Sequence, residues 1–353
     1  MILTGSDGKV KELYVQCGNT AADHTCWGRA SEYYDCTKSG RSSDSRPCYK
    51  VDKRNPGTDA AADIAAALAS TAIVFKYKDR SYHDKLIDKA KLVYAFAESY
   101  RGRIQDSLKI KDPRMPNNSN GYRDELAWGA CWLYMATKDS NYLNKCKYHY
   151  RILPSERERE PSRMDWGLKD RAITLLLSKL DSSDSSYKSN LDKFCKFNKE
   201  DRKKTSRGLI FHGGWATNRV SANTIFLCLM FSHYHSDVAA KYNDFFRKQT
   251  DLFFGNRDHR SYFIGYGKNP PVQPHHRSSS CPDRPATCDD DEKDSSGPNP
   301  QELEGALVGG RKSRYVPWVD KRSDYRGNEV SMSQAGFHSA VAALLQLQSK
   351  GDC

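Results

Sequence analysis

From Thr58 onward, apolar residues return at helical spacing in one stretch after another, and this periodicity limits the fold more than any other feature of the chain. Pro56-Gly57-Thr58 opens the first such stretch, TDAAADIAAALASTAIVF, with Thr58 or Asp59 as the expected cap. After a break at Lys78-Asp79 a second follows, with Leu86, Ile87, Ala90, Val93 and Ala97 in phase. Then come DELAWGACWLYMAT, NYLNKCKYHY, GLKDRAITLLLSKL, NLDKFCKF, ANTIFLCLMFSHY and AAKYNDFFRKQTDLFF. A last helix is expected near 330–348, with Phe337, Ala340, Val341, Leu344 and Leu345 on one face. That makes about nine helices joined in pairs by short connections, with no convincing strand pairs and residues 1–57 mostly loop. Such a chain is all-α, folding as stacked hairpins or a helical barrel. No repeat of fixed period suggests a solenoid.

Composition removes several classes of function. The chain has 353 residues, 38% of them hydrophobic and 28% charged, which is polar for a globular protein but not disordered. No apolar run reads as a membrane span, and MILTGSDGKVKE does not read as a signal peptide. The formal charge of +12 raises the possibility of nucleic acid, but the lysines and arginines are dispersed among acids, as in SERERE and DRKK. A solvated basic surface is the expectation, with no nucleic-acid and no membrane partner.

Eleven cysteines contain no C-x-x-C pair, so neither a zinc site nor a thioredoxin-type site is expected, and no metal or cofactor. Cys281 and Cys288 bracket a short polar loop, and Cys17, Cys26, Cys36 and Cys48 crowd the N-terminal segment, which suggests an oxidising compartment. Cys131 and Cys228 lie in apolar helical contexts and read as buried thiols. Asn117-Asn118-Ser119 is a glycosylation sequon, a weak signal by itself.

Residues 256–328 form a long Gly/Pro/Ser-rich stretch, and connections of that length are functional or disordered. DDDEKDSSGPNP at 289–300 reads as a mobile tip. Two dense segments stand out: SYFIGYGKNPPVQPHHR at 261–277, and LEGALVGGRKSRYVPWVDKRSDYRGNEV at 303–330. In the second, Asp320 and Glu329 lie among Tyr315, Trp318 and Tyr325. Carboxylates beside aromatic faces suit sugars, whose C–H faces stack on rings and whose hydroxyls need fixed polar partners. Apolar rings also raise a carboxyl pKa, as a general acid requires. An ordinary charged and aromatic loop has the same composition.

The two segments resemble, in order, the two signatures of the glycoside hydrolase family 9 endoglucanases, here of the animal type. LYVQCGNTAADHTCWGR, RPCYKVDKRNPGTDAAADIAAALASTAIVF, NGYRDELAWGACWLYMATKDSNYL and GLIFHGGWATNRVSANTIFL also resemble that family, so the likeness covers nearly the whole chain as one catalytic domain, 1–353. It implies an (α/α)6 barrel, secretion, and hydrolysis of β-1,4-glucan (cellulose and cellodextrins) with inversion. Inversion needs an acid on the leaving oxygen and a base on water, roughly 6.5–9.5 Å apart. By motif, Glu329 takes the acid's place, Asp320 is its supporting aspartate, and His275 and Arg277 fall on the sugar-contacting histidine and arginine. His24, Trp27, Tyr122, Trp166, Trp215 and Tyr325 match cleft contacts, and His276 reads as a spacer.

The chain departs from the pattern in several places. The family's catalytic base belongs to a D-A-G-D motif that this sequence lacks, and roughly a quarter of the barrel, its first helices, is expected to be missing. NEVSMSQAGF is one residue shorter than the signature and lacks its asparagine, Trp166-Gly167 replaces Trp-Asp, and Arg311-Lys312 replaces Pro-Asp. Two functions therefore remain: a cellulase with its acid machinery, or a glucan-binding protein without hydrolysis.

Overall fold

The computed structural model describes residues 1–18, 23–24, 26–32, 47–108, 121–153, 163–165, 167–256, 259–332 and 336–349. The sequon at 117–119 and Trp166 lie outside the described residues. The chain divides into two compact units, one of residues 1–23, 44–162 and 166–185, the other of residues 24–43, 163–165 and 186–353. Among the described residues there are nine helices of eleven residues or more.

The first unit begins with a three-stranded antiparallel sheet, which corrects the loop reading of residues 1–57. Strands β1 (Ile2–Thr4), β2 (Val10–Cys17) and β3 (Cys48–Val51) run side by side in that order. Val10, Leu13 and Val51 are buried, Leu13 faces Val51 across the ladder, and a Cys17–Cys48 disulfide joins the paired ends. Two of the strands are too short to show an alternating pattern of their own, and β3 pairs with a strand some thirty residues earlier.

Helix α1 (Thr58–Phe75) buries an alanine stripe, Ala61, Ala62, Ala65, Ala66, Ala69 and Ala72, against α2 (Arg80–Ser99) and α4 (Arg123–Thr137). By length and composition α1 is apolar enough to cross a membrane, contrary to the sequence reading. Neither expected residue caps it. The Thr58 hydroxyl donates to the Tyr100 carbonyl, and the Asp59 carboxylate accepts the Ile104 amide at the start of the short helix α3 (Ile104–Leu108). Both side chains thus reach the end of α2 and the start of α3, and the Asp59 carboxylate also accepts the Ala60 amide of its own helix at 3.0 Å. Gly129 of α4 lies where a Cβ would come 2.9 Å from the Ala62 carbonyl and 3.1 Å from the Tyr94 ring, so small residues set the α1–α4 spacing. Helices α5 (Ser140–Arg151) and α6 (Asp170–Leu180) complete this unit against α4. Cys131 of α4 is bonded to Cys146 of α5.

In the second unit α8 (Thr217–Tyr234) packs against α7 (Ser186–Glu200), α9 (Ala239–Phe253) and α13 (Gly336–Ser349). Buried on most sides, α8 carries hydroxyls that return to the backbone: Ser221 donates to Ile210 O at 2.7 Å and Thr224 to Val220 O at 2.9 Å. Cys228 of α8 is bonded to Cys195 of α7, so Cys131 and Cys228 are both disulfides and not thiols. Their partners lie on neighbouring helices, which a search for close spacing overlooks. On α13, Phe337 meets Phe253, Phe254 and Phe263. Leu345 is exposed and Leu347 is buried, so the buried face is rotated from the one expected. Among the described residues between α9 and α13, the helical segments are single turns, α10 (Arg277–Ser280), α11 (Asp291–Asp294) and α12 (Tyr325–Asn328), and a Cys281–Cys288 disulfide closes one loop.

Candidate active site

The two signature segments lie side by side in the second unit. The His275 amide donates to Asn328 O at 2.8 Å, and His275 and Glu329 form an isolated parallel bridge. Glu329 directly follows α12, where its amide returns to Tyr325 O at 3.1 Å. Two glycines place this turn. A Cβ on Gly309 would stand 2.7 Å from Arg326 O, and one on Gly310 (φ 91°) would stand 2.3 Å from Asn218 Oδ1. That clearance lets the Gly310 amide reach Gly327 O while the Ala216 amide, just before α8, reaches Arg326 O.

The Asp320 side chain is buried and both its oxygens are engaged. Its Oδ2 accepts from the Val272 amide (2.8 Å) and Arg260 (3.0 Å), and its Oδ1 from the Gln273 amide (3.1 Å). It therefore anchors the PPVQPHHR segment to the second signature. Asp324 pairs with Lys312 at 2.8 Å, so one of the residues that departs from the family pattern makes a contact here. The other, Arg311, is buried and donates to the Tyr262 hydroxyl.

His275 is held on three sides. Its Nδ1 bonds the Arg322 carbonyl at 2.7 Å, its ring lies 4.9 Å from Trp27, and Tyr325 is 6.1 Å away. A carbonyl can only accept, so Nδ1 carries the proton and Nε2 is the acceptor. Burial pushes the His275 pKa down, and the Arg322 carbonyl and Glu329 oppose that shift. Arg277 donates through Nη1 to Cys26 O at 2.9 Å, and Trp27 through Nε1 to Ser280 Oγ at 2.8 Å. These bonds tie the His24–Trp27 segment to α10. Trp27 is buried as a wall, and His24 is exposed. His276 is more than a spacer: its Nδ1 accepts the Ser279 amide and caps α10.

Trp215 (55% exposed) and Tyr325 (43%) make an open edge-to-face pair with centroids 5.3 Å apart. The Arg326 guanidinium lies 5.6 Å from the Trp215 ring and 5.8 Å from that of Tyr325. Of the ten site residues expected, His275, Arg277, Asp320, Glu329, Tyr325, Trp215, Trp27 and His24 belong to this unit. Tyr122 belongs to the other, half-buried at the N-cap of α4. Arg260, Asn299, Arg322 and Arg326 also shape the site and were not expected. Arg322 and Arg326 lie inside the second signature, but the sequence alone gives no partners for them. Among the described residues no group of three His, Cys, Asp or Glu is placed to hold a metal ion.

Known proteins resemble the chain over most of its length. The chain is 35% identical to endoglucanase B of Cellulomonas fimi over 95% of its length, covering 32% of that protein. It spans only 32% to 52% of the lengths of the bacterial curated relatives it matches. An endoglucanase structure from the termite Nasutitermes takasagoensis superposes with a TM-score of 0.86 at 39% identity, over 96% of this chain and 74% of the other. Clostridium thermocellum endoglucanase CelQ, solved with cellotetraose, gives 0.78 at 26% identity, over 96% of this chain and 54% of the other. The fold class shared with these structures is the (α/α)6 barrel expected from the resemblance. With residues 2–341 matching the pattern of glycosyl hydrolase family 9, the chain belongs to that family.

Proposed function

We propose that the chain is the catalytic domain of an endo-β-1,4-glucanase, with Glu329 as the general acid of an inverting hydrolysis. The observation that carries this reading is the bridge between Glu329 and His275 beside the Tyr325–Trp215 pair. The exposed rings offer faces for pyranose stacking, His275 Nε2 accepts a hydroxyl, and Glu329 delivers its proton to the glycosidic oxygen. Endoglucanase relatives, one solved with cellotetraose, support β-1,4-glucan as the substrate. The disulfides, four of them given above, support an extracellular site of action.

A second reading, glucan binding without turnover, is favoured by one observation. Asp320 spends both oxygens on amides and Arg260, and Asp324 faces Lys312, so neither neighbour of the acid is available to activate water. A base contributes about 10²–10⁴-fold to rate, so its absence would leave hydrolysis near background. The test pairs cellotetraose binding with release of reducing ends, in the wild type, Glu329→Gln and Trp215→Ala. Glu329-dependent release supports hydrolysis. Binding that Trp215→Ala weakens, with equal negligible release from wild type and Glu329→Gln, supports the second reading. A chain that binds no cellodextrin overturns both.

A further inference from the structure

Arg322 is the largest fully buried side chain among the described residues, and its hydrogen bonds run to neutral oxygens. Nε donates to Asn299 Oδ1 at 2.7 Å. Nη1 donates to Glu292 O at 2.5 Å, to Ser295 O at 3.4 Å and to Ser295 Oγ. Nη2 donates to Gly297 O at 3.1 Å. Burial of a guanidinium costs several kcal/mol unless its N–H groups are matched, so all these oxygens must be in place together. The 289–300 segment, expected from its composition to be mobile, is thus wrapped around one cation.

The same residue faces the site through its backbone. Its carbonyl accepts His275 Nδ1–H at 2.7 Å. Asn299, held by the guanidinium, donates through Nδ2 to Pro274 O (3.1 Å) and to Ser279 Oγ (2.7 Å), while its amide reaches Val272 O (2.7 Å). Side chain and main chain of Arg322 therefore converge on the segment that bears His275. Free imidazole prefers its proton on Nε2, and a fixed acceptor at Nδ1 favours the other tautomer.

We propose that Arg322 is a positioning residue: its guanidinium cage fixes its own carbonyl against His275 Nδ1, and so leaves Nε2 unprotonated as an acceptor for a sugar hydroxyl. The tautomer is a property of the fold. Its use toward sugar rests on the proposed function.

The experiment is ¹⁵N NMR of histidine-labelled protein at neutral pH, with His275 assigned by its loss in His275→Gln. Wild type should show His275 Nε2 unprotonated. Arg322→Lys, which keeps the charge but cannot reach the same oxygens, should shift His275 toward the Nε2–H tautomer. Cellotetraose affinity should fall about three- to tenfold, the worth of one hydrogen bond to a neutral partner. Asn299→Ala removes one member of the cage and should give a smaller change of the same sign. It decides the matter if Arg322→Lys does not fold. An Nε2–H tautomer in wild type, or an unchanged tautomer in whichever variant folds, overturns the proposal. A chain that binds no glucan but shows the tautomer shift refutes the proposed function and leaves the positioning role standing.

Discussion

Asp320 lies in the second signature with Glu329, the proposed acid, and its contacts are those of an anchor. Two backbone amides and one guanidinium meet a carboxylate whose side chain is 3% exposed. Asp320→Ala would strand the Val272 and Gln273 amides and leave Arg260 unpaired. Losing a charge-assisted set of this kind costs about 3–5 kcal/mol. Asp320→Asn keeps one acceptor oxygen and should cost less, about 1–3 kcal/mol. Urea unfolding of the two variants measures the difference. If Asp320→Ala lost no more stability than Asp320→Asn, the carboxylate would not be the anchor described here. Motif order made Glu329 the expected acid and Asp320 its supporting aspartate, but it could not give the contacts by which Asp320 acts, because amide partners 47 and 48 residues away are visible only once the chain is folded.

The helices were legible because each carries its own signal, an apolar stripe at helical spacing, and α2 adds Asp79 as a cap that accepts the Tyr82 amide. The sheet was not, since a three-residue strand shows no period. Ion pairs between helices were equally hidden. Glu98 on α2 accepts His149 Nε2 of α5 at 2.9 Å, and Lys145 of α5 at 2.9 Å. Burial alone would raise the Glu98 pKa, but the hydrogen bonds from His149 and Lys145 outweigh it and bring the group down from 4.5 to about 2. A depressed carboxylate contributes stability that is complete above its unfolded pKa and is lost as the pH falls through the folded one. Acidification from pH 5 to about 2 should therefore cost wild type about 1–2 kcal/mol through Glu98, after discounting for the solvent-facing part of the carboxylate. Glu98→Gln should start less stable and lack that part of the acid loss. Thermal melts of both proteins across this range check the point, and parallel pH profiles would contradict it.

At the scale of the molecule, motif order named the candidate site's residues but not the supports under them. Arg322 could be named inside the signature, but its cage comes from a segment whose composition suggests a loose tip. The cysteines followed the same division. Cys281 and Cys288 are seven residues apart, whereas Cys131–Cys146 and Cys195–Cys228 each join two helices, one pair in each unit. Their sequence separations, 15 and 33, restrict the unfolded chain by about 3 kcal/mol for the shorter loop and somewhat more for the longer. Because each bond lies within one unit, its removal should act first on the helices it joins. The double variant Cys131→Ala/Cys146→Ala should speed amide exchange in α4 and α5 by roughly 100-fold, the rate equivalent of about 3 kcal/mol. Cys195→Ala/Cys228→Ala should do the same in α7 and α8. Exchange followed by mass spectrometry over peptides from each helix separates the two. If either variant accelerated exchange equally in all four helices, the chain would open as one cooperative body, and the disulfides would act globally instead of within their own units.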